Sequence, residues 1–374
     1  MTPKERLLRA LNREKPDRLP ATVHSWMTYY LNHYLGGVDQ FEAYRRFGLD
    51  PVIYYTKFKE APVGPSLELL FFELFEGPNW HVAYQMIRQE GDITEYAFEI
   101  ETPGGKLTKK MATNQYTAWV TEYPIKELEQ IEIVRKYMPV PELDKEAINA
   151  VYDKLGDDGI LRSYVAGNQP GIWQDACTMV GTQEMIFHAI DNPGWVHEFL
   201  RILLERKLAF VESMKGVKYD LIENGGGDAS STVISPKMFE EFCLPYDRQV
   251  HKALHDLGFK VTYHTCGGMM PILEKIVANG CDASETLSPP DMGGDVDLRE
   301  VKRRIGDKVC LIGGMDQYNI LGRGTPEMVR AAVRKCFEEA GPGGGYIMMP
   351  CDHFFHAPVE NIQAYADAAR ECEY

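Results

Sequence analysis

The sequence predicts an α/β fold of the (β/α)8 (TIM) barrel class, with an N-terminal helix and an inserted β-hairpin region at about 60–150. Three observations lead there. Short apolar runs alternate with helical stretches through the second half of the chain. Two more runs near the start bring the strand count to eight, the number that closes such a barrel. No Gly-x-Gly-x-x-Gly follows the first run, which disfavours the runner-up, a doubly wound dinucleotide-binding sheet. At 374 residues the chain has the length of one large barrel, and residues 1–374 are read as a single domain.

Thr2-Pro3-Lys4-Glu5 reads as a capping box with proline at the first helical position, and the helix continues to Asn12. After the polar turn at 13–18 comes the first apolar run, 19–23, ending at His24, Ser25 and Trp26; the second is 51–55. Residues 60–150 break the rhythm. From Asp92 to Ile125 the chain alternates with period two around Thr102-Pro-Gly-Gly105, the pattern of a hairpin. Helical spacing returns over 142–155. Strand-like runs then recur at 160–165, 219–222, 260–263, 281–287, 308–312 and 345–349. Between them, 183–215, 236–257 and 270–278 carry helical spacing; Thr325-Pro326 and Pro358 open two more helices.

The formal net charge of −15 argues against a nucleic-acid groove or an anionic membrane as partner, and requires any anionic substrate to find local Arg or Lys. No run of about 18 apolar residues occurs. The start, Met1-Thr-Pro-Lys-Glu-Arg, lacks a signal-type apolar segment. The expectation is a cytoplasmic protein whose eight cysteines are reduced, packed or metal-bound. A homodimer is one assembly open to it.

The chemistry concentrates at Val261-Thr-Tyr-His-Thr-Cys-Gly-Gly268. In an extended chain His264 and Cys266 point the same way, and imidazole plus thiolate is a zinc-type pair. Cys351, which follows the run 345–349, is the third ligand expected. Asp228, Cys243, His353 and His356 remain alternatives for a further position. His251 and His255 stand four apart on a helix without His-Glu-x-x-His, and read as a surface pair. Two thiolates and an imidazole leave zinc one open position, the arrangement of a catalytic site able to activate a thiol or an oxygen leaving group.

In a barrel, function sits where strands exit. The exits carry His24, Trp26, Tyr54, Tyr55, Asn168, Gln169, Glu223, Asn224, Asp228, Glu285 and Asp316 besides the metal candidates. Glu223 and Asp228 are the expected catalytic carboxylates. His24, Trp26, Tyr55, Asn224 and Asp316 are the expected substrate contacts. The paired glycines after the strands, among them Gly225 and Gly313, would let a ligand approach the backbone.

These residues resemble the uroporphyrinogen decarboxylase superfamily over most of the chain. The likeness runs through Arg6…Ala10-Leu, Lys15-Pro-Asp-Arg-Leu-Pro20, Ser235-Pro236…Phe239…Pro245, His264-Thr-Cys-Gly267, Gly313-Gly-Met-Asp316, Gly343-Gly-Gly-Tyr346 and Pro358…Glu360-Asn-Ile362. The stretch after the first strand, His24-Ser-Trp-Met-Thr-Tyr-Tyr-Leu-Asn32, has no Arg where the family's decarboxylases are Arg-rich. The resemblance therefore implies the cobalamin-dependent methyltransferase branch, with zinc on His264, Cys266 and Cys351. It implies methyl transfer between a methylcobalamin-type corrinoid, carried by a partner protein, and a small methyl donor or acceptor. No Asp-x-His-x-x-Gly corrinoid motif occurs in the chain itself. A metal-free decarboxylase is the alternative.

Overall fold

A computed structural model describes residues 1–65, 71–165 and 169–374. Seven parallel strands form one curled sheet: β1 (Val52–Tyr54), β6 (Ile160–Tyr164), β7 (Leu221–Gly225), β8 (Lys260–His264), β9 (Ala283–Thr286), β10 (Cys310–Met315) and β11 (Tyr346–Pro350), adjacent in that order. The labels between belong to an antiparallel insert of β2 (His81–Glu90), β3 (Ile93–Thr102), β4 (Gly105–Thr113) and β5 (Ala118–Glu122). Strands buried on both faces read as unbroken apolar runs, which is why six of the seven stood out after residue 150 in the sequence.

The expected first strand, 19–23, is extended but forms only a bridge. Ala21 pairs with Met348 in parallel, Thr22 N donates to Met348 O at 3.0 Å, and Asp50 N donates to Ala21 O at 2.8 Å. The segment therefore lies between the two edge strands of the sheet.

One end of the sheet is plugged. The helix Pro3–Leu11, capped by Thr2 accepting from Glu5 N at 3.2 Å, buries Leu7, Ala10 and Leu11. They form one cluster with Val52, Ile160, Leu221, Ala283, Cys310 and Ile347, which stand at the starts of six strands. Arg6 and Arg18 fasten this plug by ion pairs to buried Asp50 at 2.6 and 3.0 Å. With the strand starts sealed, chemistry is left to the strand ends.

The insert is larger than the expected hairpin. β2 adds a strand that the alternation of 92–125 did not include, and β5 a fourth. Val82, Phe98, Ile100, Leu107 and Met111 face the main core. The buried pair Lys109–Glu73, 2.7 Å, lies beneath them. The 183–215 stretch is two helices, Thr182–Asp191 and Pro193–Ser213, because Pro193 cannot continue the first. The helices Thr28–Leu35, Gln40–Phe47, Ile172–Val180 and Leu298–Ile305 are additional to those expected.

Candidate metal and methyl-transfer site

The strand ends surround a cleft of about 450 Å³ lined by His24, Trp26, Tyr54, Glu223, His264 and Asp352, among others. Register places the polar groups. Tyr54 on β1 pairs with Arg162 on β6, and His264 on β8 pairs with Glu285 on β9. Gly225, at the end of β7, pairs with His264. A Cβ on Gly225 would stand 2.3 Å from the His264 carbonyl, and one on Gly313 1.7 Å from that of Thr286. These two glycines serve close strand packing rather than ligand approach, a correction to the sequence expectation.

Inside the ring of strands lies a buried charge network. Arg162 donates to Glu223 Oε2 at 2.7 Å and to Glu285 Oε2 at 2.8 Å, with a further contact to Glu285 Oε1. Its guanidinium covers the Tyr54 ring at 4.6 Å, and the Tyr54 hydroxyl donates to Glu223 Oε2 at 2.7 Å. Burial alone would raise Glu223, but Arg162 and then His264 outweigh it and the carboxyl pKa is lowered. Glu285 is lowered in the same way, Arg162 again overcoming burial.

His264 joins this network to Cys266. Its Nδ1 lies 3.1 Å from Glu285 Oε1 and 3.6 Å from Glu223 Oε1, while its Nε2 lies 3.1 Å from Cys266 Sγ. Cys266 donates to Asp352 Oδ2 at 3.4 Å. Burial works to lower His264, yet Cys266 and Glu223 hold its pKa well above the ordinary value. Burial pushes the Cys266 thiol up against the pull of His264. Burial, with His353 and His264, lowers His24 to about 3, so that ring is neutral. Its Nε2 is 3.4 Å from His264 Nδ1, and its Nδ1 has no partner among the described residues.

These donors fit a divalent metal. Nδ1 on a carboxylate with Nε2 turned to a thiol is the outer-shell pattern of metal-bound histidine. Donors on a tetrahedral zinc stand about 3.5 Å apart, and the 3.1 and 3.4 Å separations along His264, Cys266 and Asp352 lie near that edge. Glu223 and Glu285 share the single guanidinium of Arg162, and Asp352 lies on the other side of His264, beside Cys266. Groups of metal-type donors within 4.8 Å of one another are His24, Glu223, His264 and Glu285, and His24, Asp352 and His353.

The other expected residues are placed variously. Cys351 is buried at the exit of β11, and its thiol donates to Leu287 O at 3.6 Å rather than meeting Cys266. Asp228 accepts from Gln174 Nε2 at 2.7 Å, outside the cleft lining. Asn224 is turned to the helix layer, where its amide meets Asp247 at 3.1 Å and His251 at 2.9 Å, because neighbours in a strand face opposite ways. The same alternation puts Tyr54, not Tyr55, in the cleft. Asp316 caps a helical turn, accepting from Asn319 N at 2.7 Å. His251 is buried, not a surface residue. Trp26 lines the cleft and stacks on Phe47 at 5.7 Å, with no partner for its Nε1 among the described residues. Asn168 lies outside the described residues.

The sequence reading missed Arg162 and its role. A lone Arg amid the apolar run 160–165 was the available signal, since a charge inside a buried strand must be paired.

The family model described as uroporphyrinogen decarboxylase (URO-D) matches residues 83–372. The chain is 23% identical to the methylcobamide:CoM methyltransferase MtbA of Methanosarcina mazei, over 100% of this chain and 99% of that one. It is 25% identical to a uroporphyrinogen decarboxylase of Alcanivorax borkumensis, over 92% of this chain and 90% of that one. A solved methyltransferase from Methanosarcina mazei superposes with a TM-score of 0.68 at 18% identity, covering 99% of both chains, which establishes a shared fold. The chain belongs to the uroporphyrinogen decarboxylase (URO-D) family, on its cobalamin-dependent methyltransferase branch.

Proposed function

We propose that this chain is a zinc-dependent methyltransferase that moves a methyl group between a corrinoid protein and a small thiol or methylated compound. The observation that carries the reading is His264 held between Glu285 on Nδ1 and Cys266 on Nε2. Similarity to the methylcobamide:CoM and methylated-thiol–coenzyme M methyltransferases of Methanosarcina mazei supports the reaction class. In this reading residues 19–23 close the sheet as an eighth stave, and the single-domain chain works in the cytoplasm.

His264 and Cys266 would hold the zinc, joined by Cys351 once its thiol turns from Leu287 O, and Asp352 is the carboxylate beside the Cys266 thiol. Zinc bound there supplies a centre that keeps a substrate thiol deprotonated or draws charge from a leaving oxygen. Glu285 fixes the ring of His264 and its tautomer. Arg162 keeps Glu223 and Glu285 ionised in the buried interior, and Glu223 with Tyr54 offers a proton route at the cleft wall. Asp228, held by Gln174, contributes by positioning the 227–229 turn beside Cys266. His24 and Trp26 line the substrate cleft, while Tyr55, Asn224 and Asp316 act behind it. The corrinoid would arrive on its partner protein over the cleft mouth.

A porphyrinogen decarboxylase must hold several substrate carboxylates. Arg162 lies behind the cleft, engaged by Glu223 and Glu285, and the cleft lining holds no Arg and no Lys among the described residues. The test is demethylation of methylcob(III)alamin by the zinc-loaded protein with a thiol acceptor, followed by the visible spectrum of the corrinoid. Cys266→Ser is expected to abolish it with the fold retained; full activity in that variant would sink the zinc mechanism.

A further inference from the structure

Beside the His264–Cys266 pair the cleft holds a second set of donors that a zinc on that pair does not use. His24, Asp352 and His353 all line the cleft. They leave two neighbouring segments. His24 follows the extended stretch 19–23, and Asp352 and His353 follow β11. The bridge from Ala21 to Met348, with Thr22 N donating to Met348 O at 3.0 Å, holds those segments side by side and brings their exits together. One donor atom from each of the three residues lies within 4.8 Å of the others.

The two oxygens of Asp352 are divided. Oδ2 accepts from the Cys266 thiol at 3.4 Å. Oδ1 is turned to His353, accepting from its backbone N–H at 2.7 Å and lying 4.0 Å from its Nε2. Among the described residues this carboxylate meets no Lys or Arg. The two imidazoles pack edge to face with centroids 4.5 Å apart. His24 is only 6% exposed, and its Nδ1 has no partner among the described residues. The Nδ1 of His353 is likewise buried and without one. Buried polar atoms are nearly always paired, so two unpaired ring nitrogens beside a carboxylate point to a bound ligand.

Two imidazoles and one carboxylate are the donors of a divalent first-row ion held with positions left open. The set has no thiolate, so it holds its ion more weakly than His264, Cys266 and Cys351 would, and fills from solution rather than keeping its ion through purification. Donors on such an ion stand about 3.5 Å apart, so the gap from His353 to Asp352 must close slightly. His353 is partly exposed and stands in the irregular segment after β11, which gives its ring room to shift and the ion a way in.

We propose that His24, Asp352 and His353 form a second metal site, which takes a divalent first-row ion and shares Asp352 with the Cys266 centre. Its open positions face the cleft, where the ion binds water or an atom of the guest. The site goes beyond the methyltransferase reading and needs none of that reading's thiolate ligands.

Manganese(II) added to the zinc-loaded full-length protein tests it, with free manganese followed by electron paramagnetic resonance. Manganese favours nitrogen and oxygen donors and leaves a thiolate site to zinc. The wild type should take up manganese saturably with its zinc retained. His353→Ala should weaken that uptake about ten-fold or more with zinc content unchanged, and the retained zinc shows that the variant is folded. Cys266→Ser should lose zinc and still bind manganese. No manganese uptake by the wild type overturns the proposal. So does uptake that His353→Ala leaves unaltered, which would assign it to surface carboxylates, or uptake that occurs only as zinc leaves, which would mean a single shared site. A wild type without zinc whose manganese uptake His353→Ala removes would overturn the zinc–thiolate reading and leave this site standing.

Discussion

Replacing Arg162 by Met should cost this protein about 3–5 kcal/mol of stability. The guanidinium is buried and is shared by Glu223 at 2.7 Å and Glu285 at 2.8 Å, themselves buried. Each pair at an effective dielectric near 20 is worth about 4 kcal/mol of Coulomb energy before desolvation is subtracted. Removing the cation leaves two buried carboxylates close together with only the His264 imidazole beside them, and the part of the desolvation cost that Arg162 had offset returns. Met fills most of the aliphatic volume, so the loss reports charge more than cavity. Urea unfolding at pH 7, compared at equal m-value, measures it. Glu285→Gln in the Arg162→Met background should recover part of the loss, because one of the stranded charges is gone. An Arg162→Met variant within about 1 kcal/mol of wild type would refute the reasoning.

Other consequences follow from the same geometry. Burial raises Asp247 to about 6, against hydrogen bonds from Asn224 and Tyr263. Folding therefore favours its protonated form: the contribution is full below the unfolded value near 4 and is lost as pH rises through about 6. Two units correspond to about 3 kcal/mol, so Asp247→Asn should flatten the fall in unfolding free energy between pH 4 and 6; parallel pH curves for the two proteins would contradict this. Gly225→Ala sets a Cβ against the His264 carbonyl at a φ of 114°, and should lower stability by about 1–3 kcal/mol. Thermal unfolding checks it, and an unchanged midpoint would show that β7 and β8 can part without cost. Lys109→Met strands buried Glu73 and should destabilise by about 3–5 kcal/mol; chemical unfolding of the variant with and without Glu73→Gln separates lost charge from lost packing.

Much of the parallel sheet was legible because parallel strands buried on both faces must be apolar and short. The run 260–263 leads into His264, which lines the cleft, and on to Cys266 beside it. What escaped the sequence depends on distances between strands. Arg162, Glu223 and Glu285 are far apart in the chain, and only register shows that one cation serves two carboxylates. Side-chain alternation explains Tyr54 against Tyr55 and Glu223 against Asn224, since a one-residue error in strand phase swaps cleft for helix layer. His251 was misplaced because its helical face could be assigned only by what packs on it, here Asn224 and the Asn279 carbonyl at 3.0 Å. β2 escaped because all of its residues but Val82 are exposed, so little burial shapes its sequence.

Zinc content is the most direct test of the metal-centred account. Wild type, Cys266→Ser and Cys351→Ser would be purified side by side without chelator and analysed for metal. About one zinc per chain in the wild type, with most of it lost in each variant, is the predicted result. A wild-type protein without zinc, or cysteine variants that retain it in full, would contradict the account and return the cleft to metal-free chemistry.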